Sequence, residues 1–167
     1  MAKFQTALVA LCRFGTAIGF LVLIVAVLTQ VLGRTVFSSS PPWTEELTRY
    51  AMLWTVALAA GLSFRSGDLV NVDIVSEALP GRWPWALRLT SAVATVGLCA
   101  VLLYPAWRYT AIGARQTSPV LAVPMSYIHA SILALLALLM VFALLRVVEM
   151  LRGASDGRPV VNPDKLA

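Results

Sequence analysis

Phe14-Gly15-Thr16-Ala17-Ile18-Gly19-Phe20-Leu21-Val22-Leu23-Ile24-Val25-Ala26-Val27-Leu28-Thr29-Gln30-Val31-Leu32 runs without a charge between Arg13 and Arg34. About 20 apolar residues in a row, each adding roughly 1.5 Å, make a helix long enough to cross a hydrocarbon layer. A secretory signal has a shorter apolar stretch and a small-x-small cleavage site, and Gly33-Arg34-Thr35 offers none. The stretch reads as a retained membrane anchor.

Three similar stretches follow: Leu47 to Phe64, the segment between Arg88 and Arg108, and Tyr127 to Leu145, which stops at Arg146. The sequence therefore predicts an all-α integral membrane protein of four transmembrane helices with short interfacial helical segments. Spans are expected at about 14–33, 46–64, 87–107 and 127–146, in a single domain over 1–150. Residues 151–167 are expected to form a polar, mobile cytoplasmic tail.

Composition agrees. Only 13% of the 167 residues are charged and 59% are hydrophobic, with a mean hydropathy of +0.82. A water-facing surface needs about 25% charged residues, so lipid has to solvate much of this one. The net charge of +5 does not mark a nucleic-acid binder, because the basic residues sit singly at the ends of apolar runs.

Those basic residues set the orientation. An even number of spans puts both termini and the middle loop on one side, with Lys3, Arg13, Arg65, Arg82, Arg88, Arg146, Arg152, Arg158 and Lys165. Arg34, Arg49, Arg108 and Arg115 lie on the other. The positive-inside rule then predicts cytoplasmic termini.

Pro and Gly punctuate the connections. Ser38-Ser39-Ser40-Pro41-Pro42 stops the first helix, and Leu79-Pro80-Gly81-Arg82-Trp83-Pro84-Trp85 breaks the middle loop. Ser118-Pro119 and Val123-Pro124 precede the fourth span. No internal repeat is visible, so the repeat architecture of many self-sufficient transporters is missing. Gly15-x-x-x-Gly19 and Ala57-x-x-x-Gly61 permit close helix approach, to an internal partner or to a second chain. The Leu-rich stretch Ile132 to Leu145 carries no polar stripe and is expected to face lipid on one side.

Nothing points to catalysis. Cys12 and Cys99 lack zinc or disulfide spacing, and the single His129 excludes a bis-histidine haem within one chain. At the start of an apolar helix, His129 reads as interfacial or hydrogen-bonded to a neighbour. No cofactor, metal site or enzymatic constellation is expected.

Polar residues concentrate in Pro42-Trp43-Thr44-Glu45-Glu46-Leu47-Thr48-Arg49-Tyr50. Pro is tolerated at a helix start, and Glu45 and Glu46 complement the positive end of the helix dipole. Glu45 and Arg49 are spaced for an i, i+4 pair, and Trp43, Tyr50 and Trp54 form an aromatic stripe. Only about 24 Å of helix separates Arg49 from Arg65, so these arginines snorkel or Arg49 sits against protein at the membrane edge. One reading is a helix cap with interfacial anchors. The other is a contact with a second membrane subunit. Beyond the span, Arg65, Asp68 and Asp73 form a local charge cluster without the oxygen cage of a metal site.

The order of motifs resembles the small membrane (Q) subunit of the tripartite ATP-independent periplasmic, or TRAP, transporters. Gln30-Val31-Leu32-Gly33-Arg34-Thr35-Val36-Phe37 is similar to the family's Q-V-x-x-R-Y-x-F, and Pro42-Trp43-Thr44-Glu45-Glu46-x-x-Arg49 to P-W-x-E-E-x-x-R. Arg65-x-Gly67 followed by Val72-Asp73 resembles R-x-G-x-H-I-x-V-D. Ser118-Pro119 with Val123-Pro124-Met125 resembles S-P-x-x-x-x-P-M. Thr35 and Leu69 depart from the usual Tyr and His. The resemblance covers roughly Gln30 to Met140.

It implies a bacterial inner-membrane, multi-pass subunit without a substrate site. Such a subunit scaffolds a large multi-span permease subunit that takes up a carboxylate-bearing solute on a sodium gradient. A periplasmic solute-binding protein delivers the solute and could dock directly, and membrane lipids surround the assembly. Carried over, Arg34, Glu45, Glu46, Arg49, Arg65 and Asp73 become structural charges or subunit contacts, with Trp43, Tyr50 and Trp54 beside them. The competing reading is a self-sufficient homo-oligomeric transporter or channel. That class usually carries a mid-span carboxylate, whereas Glu45, Glu46 and Glu149 all lie near span ends.

Overall fold

The computed structural model describes residues 2–36, 38–39, 41–66 and 83–157. Four helices account for most of them: α1 (Ala2–Val36), α2 (Pro42–Ser66), α3 (Trp83–Gly113) and α4 (Met125–Leu151). Each is long and apolar enough to cross a membrane. The all-α, four-span architecture expected from the sequence is what the structure shows, although each helix extends beyond its expected span. At 1.5 Å per residue the 35 residues of α1 reach about 52 Å, so its first turns project past a hydrocarbon layer of roughly 30 Å.

In their apolar interiors the helices still carry Ser and Thr, and local back-bonding makes them compatible with lipid. Thr29, Thr55, Thr95 and Thr110 each donate to the carbonyl four residues earlier, at 2.7–2.9 Å. Pro105 interrupts α3 by removing one rung of its ladder.

The helices do not close into a ring. α1 packs on α2, α2 on α4, and α4 on α3. The Leu-rich α4 is thus flanked by helices on both sides, with Leu136, Phe142 and Ala143 buried, while Ile132 and Leu144 remain exposed. α1 is the most open, with only 6% of its apolar window buried.

Small residues decide these contacts. Gly15 and Gly19 face Leu58 and Thr55 of α2, and a Cβ on Gly61 would stand 2.7 Å from the Phe142 ring of α4. The two small-x-x-x-small pairs therefore serve packing within the chain. An apolar cluster, Cys12, Phe64, Phe142 and Ala143, joins α1, α2 and α4 near the end where α1 begins and α4 finishes.

At that end Gln5 donates to Glu149, linking the first and last helices. The start of the tail folds back here instead of leaving the bundle. Arg88 donates to the Asp156 carbonyl at 3.3 Å, Arg146 donates to the Gly157 carbonyl, and Gly157 is buried against Met150. The expected loop break at Leu79–Arg82, the Asp68 and Asp73 charges, and the tail beyond Gly157 lie outside the described residues.

Candidate functional site

At the opposite end of the bundle, α3 and α4 are joined by a tight hairpin over 114–124. Its framework is backbone: Ser118 N–H donates to Val123 O at 2.9 Å and Met125 N–H to Gln116 O at 2.8 Å, around an isolated bridge between Thr117 and Pro124. Closing so short a turn places Ala122 at φ 52°, a left-handed conformation uncommon outside glycine. The tip amides of Val120 and Leu121 then point away from the hairpin and need an acceptor.

Glu46 supplies it. The carboxylate lies in the second turn of α2, 8% exposed, and its Oε2 accepts from Leu121 N–H at 2.7 Å and Val120 N–H at 3.3 Å. Its Oε1 accepts from the Tyr50 hydroxyl at 2.7 Å, one helical turn along the same face. That hydroxyl also lies 3.8 Å from Met125 Sδ, at the start of α4. Buried Ser118 presents its hydroxyl beside the same carboxylate and accepts from Val123 N–H at 3.2 Å. A buried carboxylate is tolerable because its lone pairs are met by oriented donors.

α2 is held at its entry by a second set of bonds. Thr44, fully buried, donates its hydroxyl to Pro41 O at 2.7 Å, and its amide bonds the same carbonyl at 3.1 Å. Glu45 turns the other way and accepts from Gln30 of α1 at 3.3 Å. The bond that the structure gives Glu45 is to Gln30, and no ion pair of Glu45 with Arg49 is found among the described residues. The nearby Gln30 amide offers an acceptor-seeking donor without ordering a long Arg side chain.

Of the residues singled out in the sequence, this end gathers Arg34, Trp43, Glu45, Glu46, Arg49 and Tyr50. They divide by direction. Glu46 and Tyr50 face the hairpin, whereas Arg34, Trp43 and Arg49 are exposed. Trp54 is half-buried farther along α2. Arg65 sits in the last turn of α2 at the opposite end of the helix, and Asp73 lies outside the described residues.

His129 is accounted for separately. Its ring stacks on Tyr109 at 3.8 Å between centroids, and Nδ1 lies 3.2 Å from the Tyr109 carbonyl, which can only accept. The geometry thus requires the Nδ1–H tautomer and a structural role between α3 and α4. The described residues hold no cluster of three or more potential metal ligands.

Sequence reasoning did not reveal that Gln30 is the partner of Glu45, or that Glu46 satisfies the hairpin tip. Both bonds join segments separated by loops, and periodicity is silent about such pairs. The three motifs at this end were visible in order, and the structure shows that they interlock: Gln30 with Glu45, and Glu46 with Ser118–Met125.

Residues 23–153 match the family described as tripartite ATP-independent periplasmic transporters, DctQ component. A protein of Haemophilus influenzae assigned as a TRAP transporter small permease protein is 25% identical over 100 residues, covering 60% of this chain and 62% of that relative. The family match takes in α2, α3, α4 and residues 23–36 of α1, and with them every interlocking residue just described. The chain belongs to the DctQ component family of the TRAP transporters.

Proposed function

We propose that this chain is the non-catalytic small permease subunit that scaffolds a large multi-span TRAP subunit in a bacterial inner membrane, with both termini cytoplasmic. The large subunit carries a carboxylate-bearing solute inward on a sodium gradient, and a periplasmic solute-binding protein delivers it. The small subunit supplies a rigid, lipid-embedded platform. The clamped hairpin end lies on the periplasmic side, where the binding protein arrives.

The observation that supports this reading is the division of the motif residues. Glu45, Glu46 and Tyr50 are engaged in bonds that fix α1, α2 and the α3–α4 hairpin against one another. Arg34, Trp43 and Arg49 project outward at the same end, available to a partner. A scaffold needs both a stiff interior and an exposed contact set. Interfaces favour Trp and Arg, which bring large area and directional bonds.

The test is co-purification from native membranes in mild detergent. Recovery of a stoichiometric larger multi-span protein, reduced in Trp43→Ala with Arg49→Ala while insertion is unchanged, supports the proposal. A chain that purifies only with itself points to the homo-oligomeric reading instead.

A further inference from the structure

The end of the bundle where α1 begins and α4 finishes holds a cavity of about 80 Å³ between α1, α2, α4 and the returning segment 152–157. Its base is apolar, formed by Phe64 and Phe142, and its ionisable walls are Arg65, Arg146 and Glu149. We propose that this cavity binds the phosphodiester headgroup of a membrane phospholipid, with the acyl chains lying along the exposed apolar faces of the bundle.

Position supports the assignment first. Arg65 occupies the last turn of α2, and Arg146 lies in the last two turns of α4, so both guanidiniums stand where spanning helices leave the hydrocarbon and headgroups begin. The cavity is partly open, so a headgroup can enter it while the acyl chains stay outside.

Chemistry supports it second. Guanidinium groups present forked N–H donors that match phosphate oxygens, and they are the preferred partners of phosphate at sites of fixed geometry. Arg146 is held in place by its bond to the Gly157 carbonyl and by stacking 5.6 Å from the Phe64 ring centre. That side chain is preorganised, and less conformational entropy is lost on binding. Glu149 accepts from Gln5 on the wall of the same cavity. Two cations and one carboxylate leave a single net positive charge, which suits the single negative charge of a phosphodiester.

The site is independent of which subunit the chain contacts. It also gives the returning tail a purpose, because Ser155 and Gly157 close one side of the cavity.

The experiment uses the full chain, purified and delipidated in mild detergent. Native mass spectrometry follows titration with dioleoylphosphatidylethanolamine, dioleoylphosphatidylglycerol, dioleoylglycerol or inorganic phosphate. A one-lipid adduct with either phospholipid is expected, with dioleoylglycerol retained about tenfold less, because it lacks the charge-assisted bonds. Arg65→Gln should weaken phospholipid retention about tenfold, and Arg65→Lys less, because the charge remains without the fork. Arg13→Gln, an exposed arginine of α1 outside the cavity, should retain lipid as the unmodified chain does. Melting temperature and elution volume establish that each variant is folded. Equal retention of dioleoylglycerol, or undiminished retention in folded Arg65→Gln, would overturn the site. Displacement of the lipid by inorganic phosphate would assign the cavity to a free anion and overturn the lipid assignment.

Discussion

Glu46 and Leu121 are 75 residues apart in the chain, yet the carboxylate of one accepts a 2.7 Å hydrogen bond from the amide of the other. This contact ties the start of α2 to the tip of the α3–α4 hairpin. It explains why two motifs far apart in sequence belong to one structural unit. The carboxylate replaces the water that the Val120 and Leu121 amides would otherwise bind at the edge of a membrane.

Glu46→Ala should therefore release the hairpin without unfolding the spans. Hydrogen–deuterium exchange in detergent is expected to show faster exchange at Val120–Leu121, by about tenfold or more, with exchange in the centre of α4 unchanged. Glu46→Gln retains one acceptor and should fall between the two. Unchanged exchange at the tip would mean that the contact does not hold the hairpin.

Gly61→Ala should destabilise the α2–α4 contact. The added Cβ would stand 2.7 Å from the Phe142 ring and 3.4 Å from Leu138 Cβ, in a packed interior. Overpacking of this kind costs about 1–3 kcal/mol, read as a lower melting temperature in detergent. Adding Phe142→Leu should recover part of that loss, because the clash and the ring disappear together.

His129→Phe keeps a flat ring against Tyr109 and loses the bond to the Tyr109 carbonyl. The expected cost is about 0.5–1.5 kcal/mol, and His129→Ala, which also loses the stack, should cost more. Thermal melting of the two variants checks the order.

Cys12 and Cys99 are buried, at 0% and 2% exposure. A membrane-permeant maleimide should label neither at an appreciable rate in the folded chain and both after denaturation in dodecyl sulfate. Rapid native labelling of Cys12 would show that the α1–α2–α4 junction opens readily, since that thiol packs with Phe64 and Phe142.

The two outward residues give the functional prediction. Trp43→Ala with Arg49→Ala should leave melting temperature nearly unchanged, because both side chains are exposed, while lowering recovery of a larger membrane partner several-fold. A loss of both stability and partner would place these residues in the fold instead of the contact.

Much of the architecture was legible in advance. Uninterrupted apolar stretches such as Phe14–Leu32 and Tyr127–Leu145 can be only membrane helices or deeply buried ones, and a chain with 13% charged residues has no polar shell in which to bury four. The helix ends were less legible. Polar and charged residues near an end, such as Lys3 and Gln5, stay helical when the turns beyond the lipid find protein to pack on, as Leu8, Val9 and Cys12 do. Glu45 was expected to pair locally with Arg49, whereas the bond that the structure shows is to Gln30, a neighbour supplied by another helix.

By itself, the sequence determined that this protein lives in a membrane, how many times it crosses, and which motifs mark its family. Those properties follow from the cost of placing backbone and charge in hydrocarbon, which acts on each segment separately. Only the tertiary structure decided the order α1–α2–α4–α3, the inward turn of Glu46 beside the outward turn of Arg49, and the cavity between Arg65 and Arg146. These depend on which helix faces meet. In a chain apolar on nearly every face, hydrophobicity does not choose among faces, so close-fitting shapes such as Gly61 against Phe142 and a few directional hydrogen bonds make the choice.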